Sequence, residues 1–264
     1  MSLARNAGWA LWASAGTAPL VLLSAVVLAR SLTPEAHGQV QAALSLAVLA
    51  ITLGNAGFVA AAIHRLRGAG RPPAAALGTG LLGVTLTGTV LLGSALLAGA
   101  FVRERLLLGA SPLVLVAAMA TVLPMLWAGI GGAVARGMDR FDAWAGVEWT
   151  SKAGRLGVWT LLWAGGAASA ESILVGALGV ELLAVAVAGW RLRDVGRPST
   201  SGAELVAAAR FGAPAALTSL GGQLHERIDL FLLALWRGDP VEVAVYAVAV
   251  GVVNRLRVVP LALA

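Results

Sequence analysis

Residues 213–235 read Ala213-Pro-Ala-Ala-Leu-Thr-Ser-Leu-Gly-Gly-Gln-Leu-His-Glu-Arg-Ile-Asp-Leu-Phe-Leu-Leu-Ala-Leu235. The stretch has the length and apolar content of a membrane span, for which about 20 residues suffice to cross ~30 Å of hydrocarbon. Yet His225, Glu226, Arg227 and Asp229 fall within five positions of it. A charge in hydrocarbon costs on the order of a few kcal/mol, so intramembrane charges mark polar cavities or pathways. The segment is therefore both a span and the best functional pointer in the chain.

The composition around it agrees. Of 264 residues, 59% are hydrophobic and only 12% charged, with a mean hydropathy of +0.85. A soluble domain carries about 25% charged residues, so this chain has too little polar surface to be one. Eight stretches are long enough to cross a bilayer as helices: about 9–29, 39–63, 76–102, 111–135, 144–165, 172–190, 211–236 and 243 to the end. The expected fold is all-α and polytopic.

The net charge of +6 reports orientation, not nucleic acid, because cytoplasmic loops collect Lys and Arg. With the N-terminus in the cytoplasm, that side receives Arg5, Arg65, Arg67, Arg71, Arg136, Arg140, Lys152, Arg155, Arg191, Arg193, Arg197 and Arg210. The other side receives Arg30, Arg103, Arg105 and Arg237. The asymmetry predicts an N-in topology. Arg5 before an apolar run resembles a signal peptide, but the run continues to Ala29 past the Ala13-Ser-Ala15 site, which makes it an uncleaved first span. The chain has no cysteine, which excludes disulfides, thiolate catalysis and Cys-ligated metal.

Three regions follow. Residues 1–195 form an expected N-terminal lobe of six helices, and 196–210 a cytoplasmic linker with the Pro, Gly and Ser content of a hinge. Residues 211–264 supply the first two helices of a second lobe. An internal echo supports the division: Leu32-Thr-Pro34-Glu-Ala-His-Gly38-Gln-Val40 and Gly238-Asp-Pro240-Val-Glu-Val-Ala244-Val-Tyr246 align at an offset of 206 residues. Six-span halves related by an axis along the membrane normal keep the same orientation. Residues 258–264 stop inside a hydrophobic run, so the chain is expected to be a fragment of a longer protein.

On a helical projection the charges sort. At about 100° per residue, Thr218, Ser219, Gly222, Gln223, His225, Glu226, Arg227 and Asp229 occupy one half, while Leu217, Leu220, Leu224, Ile228, Phe231, Leu232 and Leu235 occupy the other. One half of this helix is a polar wall. At 1.5 Å per residue, Arg227 lies ~13 Å from Trp236 and Arg255 ~18 Å from Val243, so the two cations can share a depth. Asn254, Arg255 and Arg257 extend the same cavity, and planar guanidinium groups suit phosphate or carboxylate. The competing reading makes Glu226 and Asp229 mere partners of these arginines in interhelical ion pairs. Glu181 and Asn55, near the middle of the sixth and second expected spans, are further cavity candidates, although a single polar side chain often only bonds a neighbouring helix. Glu148 and Lys152, four apart, read as a local pair.

Other motifs carry less. Gly78-Thr-Gly80-Leu-Leu-Gly83 matches a dinucleotide fingerprint, but it opens a span with no preceding strand and reads as helix packing. No Walker A sequence occurs. Ser219, His225 and Asp229 ride one helix and cannot converge as a hydrolase triad. Trp9, Trp163, Trp190 and Trp236 at span ends read as interfacial anchors.

Several positions resemble the polysaccharide-exporter, O-antigen-type branch of the multidrug/oligosaccharidyl-lipid/polysaccharide flippase superfamily. They are Leu28-Ala-Arg30-Ser-Leu32-Thr-Pro-Glu35-Ala-His-Gly38, Arg136-Gly-Met-Asp-Arg140-Phe141, Phe211-Gly212-x-Pro214, Arg227-Ile-Asp229, Gly238 and Tyr246-x-x-Ala249. The resemblance implies a V of two helical lobes around a cavity that opens alternately to either side of the bacterial cytoplasmic membrane. It implies no enzyme and no cofactor, with coupling to a proton or a sodium ion. The implied substrate is a polyprenyl-pyrophosphate-linked oligosaccharide, and the implied partners are membrane lipids and a polymerase or glycosyltransferases of the same pathway. Arg227, Arg255 and Arg257 would then hold the diphosphate, while Asp229, Glu226, His225 and Gln223 balance charge or bind sugar hydroxyls. Two alternatives stand beside it: a cation-coupled small-molecule exporter using Asp229 and Glu226, and a polytopic glycosyltransferase, for which the outer loops are short.

Overall fold

The computed structural model describes residues 3–256. Arg257 lies outside the described residues, as do the side chains of Arg227, Asn254 and Arg255. The elements in chain order are α1 (Leu3–Ser14), α2 (Ala18–Ser31), α3 (Pro34–Asn55), α4 (Phe58–Arg67), α5 (Pro73–Leu97), a short α6 (Gly99–Phe101) running into a π turn over Val102–Leu106, α7 (Pro112–Ala120), α8 (Val122–Gly137), α9 (Phe141–Ala164), α10 (Ala170–Arg191), a 3-10 turn over Arg193–Val195, α11 (Gly202–Arg237) and α12 (Pro240–Leu256). The described residues contain helix and no strand. That suits lipid, where every backbone N–H and C=O must be satisfied within the segment.

Local chemistry places the boundaries. Pro34 and Pro112 occupy first-turn positions where a missing N–H costs nothing. The hydroxyls of Thr33 and Ser111 accept from Ala36 N and Val114 N. Ser169 and Ser172 close a reciprocal capping box on α10, and Ser201 caps α11. Each such cap is worth about 1 kcal/mol.

Each of the eight hydropathy stretches carries helix; short breaks at Ala98 and Thr121 interrupt the third and fourth, and two larger ones fall in the first two. A turn at residues 15–17 divides the first into α1 and α2, and the left-handed residues Ala56 (φ 43°) and Gly57 (φ 80°) divide the second into α3 and α4. By length and composition, five described segments can cross a membrane: Arg5–Ser31, Pro34–Asn55, Pro73–Leu97, Pro112–Gly137 and Ala170–Arg191. The helices α9 and α11 are long enough but too polar for that criterion, and α12 is shorter. Of these, α9 and α11 carry most of the polar side chains of the site.

The helix at the centre of the packing is α8, which touches α3, α4, α5, α7, α9 and α10. Its residues Ile130, Gly131, Gly132, Ala133, Val134 and Ala135 are all buried, because small residues let helix backbones approach. The Gly78 to Gly83 motif is spent the same way: Gly80 faces Ile130 of α8, and Gly83 faces the ring of Phe58 on α4. The hairpin of α9 and α10 interlocks reciprocally, with Val180 against Gly154 and Val158 against Gly176.

At the other end of the chain, α11 packs on α3, α4 and α5, and α12 packs on α2 and α3. The two echoed Pro turns meet: the backbone of Pro240 lies directly against Gly38, leaving no room for a methyl group there. The 196–201 segment docks on α5 through Ser199 N donating to Ala74 O (3.1 Å) and a Thr79 to Thr200 hydroxyl bond (2.9 Å).

Candidate functional site

Two cavities meet on α8. The larger, about 420 Å³, lies between α3, α4, α8 and α11 and is lined by Ile51, Thr52, Asn55, Val59, Met125, Leu126, Gly129, Ser219, Gly222, Gln223 and Glu226. The smaller, about 110 Å³, lies between α8, α9 and α10; its lining includes Arg136, Trp144, Glu148, Ser151, Lys152 and Glu181. Met125 and Gly129 belong to both, so the two cavities adjoin at α8 and together make up the cleft. A volume of several hundred Å³ is that of ligand pockets in general, about 300–1,000 Å³.

The wall contributed by α11 is Ser219, Gly222, Gln223 and Glu226, a stripe of one helix face. The Gln223 carboxamide oxygen is enclosed and has no hydrogen-bond partner among the described residues. An enclosed acceptor without a donor carries a penalty of about 1–3 kcal/mol, which a ligand hydroxyl would remove. Asn55, at the end of α3, also lines this cavity and accepts from Val59 N in the first turn of α4 (3.0 Å).

The remaining sequence candidates are distributed differently. Glu181 lines the smaller cavity and is 2% exposed. Asp229 turns toward α12, where the Tyr246 hydroxyl donates to its carboxylate and Leu230 N donates to its Oδ1 (2.8 Å). The competing ion-pair reading of Asp229 falls on arginine side chains outside the described residues; its interhelical partner among the described residues is Tyr246, which sequence did not suggest. His225 is exposed and lines neither cavity.

Arg155 is the residue that sequence reasoning misplaced. Counted among cytoplasmic cations, it sits instead in the middle of α9, where its Nη2 lies 2.8 Å from Glu181 Oε1. Lys152, also inside α9 and lining the cleft, leaves the loop count with it; ten cations against four remain, so the asymmetry persists. A usable signal existed. Arg155 and Glu181 each stand thirteen residues from Ala168 in the short turn between two spans, and a tight antiparallel hairpin brings such positions level. The local reading of Glu148 and Lys152 is likewise enlarged, since both line the cleft.

The end of the bundle holding the N-terminus of α9 is pinned by ion pairs. Arg65, 8% exposed, reaches Glu204 at the start of α11 (Nη2 to Oε1, 2.7 Å) and donates to its carbonyl (3.2 Å). Arg67 pairs with Asp139, and Arg140 donates to both Asp194 oxygens (2.7 and 2.8 Å) and to Arg191 O (2.6 Å). The Phe211 ring stacks on His64 at 4.0 Å, and beside it Gly212 meets Gly57 backbone to backbone. This latch fastens the first turns of α11 to α4.

No curated protein and no solved structure matches the chain. A family model described as polysaccharide biosynthesis protein matches residues 3–261. Fold, cleft and near-complete coverage agree: this chain belongs to the polysaccharide biosynthesis protein family.

Proposed function

We propose that this chain is part of a flippase that moves a polyprenyl-pyrophosphate-linked oligosaccharide across the bacterial cytoplasmic membrane by alternating access. The observation that carries the reading is the cleft itself. Polar side chains from α3, α8, α9, α10 and α11 are gathered inside a bundle whose helices are otherwise apolar. A glycan head group needs such shielding from hydrocarbon, while its lipid tail stays in the bilayer. Thr52, Asn55, Ser219, Gln223 and Glu226 offer hydrogen-bonding partners to sugar hydroxyls. Arg227, Arg255 and Arg257 keep their role as diphosphate ligands in this reading.

One observation favours the exporter alternative: the charged side chain among the described lining residues of the larger cavity is Glu226, which would attract a cation. Against it, the other carboxylate that such a mechanism calls on, Asp229, is already engaged by Tyr246.

The test is leaflet accessibility of the lipid-linked oligosaccharide in vesicles reconstituted with the full-length protein. The expected result is protein-dependent transfer that Gln223→Leu with Glu226→Leu reduces strongly at unchanged protein abundance. Equal transfer in protein-free vesicles, or drug efflux with no glycan transfer, would sink the proposal.

A further inference from the structure

Midway along the hairpin of α9 and α10, a hydroxyl and a guanidinium converge on one oxygen. Ser151 Oγ (2.7 Å) and Arg155 Nε (2.9 Å) donate to Glu181 Oε1, and Arg155 Nη2 lies 2.8 Å from the same oxygen. The group is enclosed, with Glu181 2% and the Arg155 side chain 16% exposed. It lies ~16 Å from either end of α10.

A buried ion pair is a poor device for stability, because desolvating both charges offsets their attraction. The hairpin does not need it either. The Gly154 to Val180 and Gly176 to Val158 interlocks, with Trp159 Nε1 donating to Ile173 O (3.1 Å), already join the two helices. What the cluster does have is access. Ser151 and Glu181 line the smaller cavity, and Arg155 Nη2 approaches the sulfur of Met125 (3.2 Å), a residue shared by both cavities.

Resting on the flippase reading, we propose that Ser151 and Arg155 form an anion cradle for a phosphate or pyrophosphate group passing through the cleft. In this view Glu181 is the resident counter-ion that the passing group displaces. An oxygen arriving at the Oε1 position inherits a hydroxyl donor and the Arg155 Nε donor already aimed at it, with the positive Nη2 beside it, and a planar guanidinium suits phosphate. The displaced Glu181 carboxylate stays in a cavity it shares with Arg136, Lys152 and Glu148, whose two cations can receive it. The resident carboxylate also spares the empty site an unpaired buried cation.

The test uses the purified full-length protein in detergent, its thermal midpoint titrated with inorganic pyrophosphate and, separately, with a polyprenyl pyrophosphate. Wild type is expected to be stabilised by the probe. Arg155→Gln with Glu181→Gln, which removes the pair without stranding a charge, should keep its unliganded midpoint and bind about 10–100-fold more weakly, the worth of charge-assisted hydrogen bonds. Glu181→Gln alone should bind inorganic pyrophosphate about tenfold more tightly, since the competing anion is gone. Stabilisation by the lipid alone assigns the anion to the lipid-linked substrate; equal stabilisation by both probes shows that the charged group suffices.

Wild-type affinity in the double variant, or no stabilisation of wild type by either probe, overturns the cradle. Should the double variant fail to fold, an unchanged affinity in Glu181→Gln overturns it. Absence of anion binding alongside intact glycan transfer removes only the cradle. Absence of glycan transfer by wild type removes the flippase reading instead.

Discussion

Replacing Gly57 by alanine combines two separable costs at the latch between α4 and α11. Gly57 has φ +80°, a left-handed conformation that costs an L-residue about 1–2 kcal/mol. Its added methyl would also collide with the Gly212 carbonyl, a backbone group that cannot rotate away. Overpacking of that kind costs about 1–3 kcal/mol, so the sum for Gly57→Ala is about 2–5 kcal/mol. Two controls split it. Gly70 has φ +58° but nothing within 4 Å, so Gly70→Ala reports the conformational part alone. Gly212 is helical, and its methyl would lie 2.7 Å from Gly57 O. Gly212→Ala therefore reports overpacking, less about 1 kcal/mol regained because alanine favours helix over glycine. Denaturant unfolding of the full-length protein in detergent should rank Gly57→Ala as the most damaging of the three. A Gly57→Ala protein no less stable than Gly70→Ala would refute the close approach of α4 and α11.

Two further outcomes are expected at the same end of the bundle. Arg65→Ala strands the Glu204 carboxylate; breaking a buried pair costs about 3–5 kcal/mol, and since the Glu204 side chain is 21% exposed the loss should be about 1–3 kcal/mol. A stability equal to wild type would show that the pair holds nothing. At Asp194, the hydrogen bond from Arg140 holds the carboxyl below its ordinary range. A depressed value means that this contact contributes fully at neutral pH and is lost only as pH falls through the depressed value. Amide hydrogen exchange of the 196–201 segment, corrected for its intrinsic pH dependence, should therefore stay flat down to about pH 4, near the unperturbed Asp value, and rise below it. In Arg140→Ala the contact is absent at every pH, so exchange should be faster at neutral pH and lack this step; a step unchanged from wild type would count against the contact.

Much of the architecture was legible in the sequence because it rests on one-dimensional properties. Apolar length, Pro and Ser or Thr at helix starts, and the loop distribution of arginine all act locally. The positions that resembled the flippase branch prove to be meeting points between helices: Gly38 with Pro240, Phe211 with His64, Gly212 with Gly57, Asp229 with Tyr246. A motif of this kind records contacts, so it signals the family without showing which residues touch substrate. The candidate site was legible only in part. Gln223, Glu226, Asn55 and Glu181 line the cleft, whereas Asp229 bonds across to α12 and His225 faces elsewhere.

The sequence by itself determined that this is an all-α, multi-pass membrane chain with a polar seventh helical stretch, because a bilayer filters residues by transfer free energy one segment at a time. Which polar residues meet is a matter of helix rotation and depth, and these are set by packing between helices far apart in sequence. Only the tertiary structure could turn Arg155 and Ser151 toward one oxygen of Glu181 and set two cavities side by side at Met125 and Gly129. An arginine in a sequence is equally a topology signal or a buried ligand; the helix that faces it decides between them.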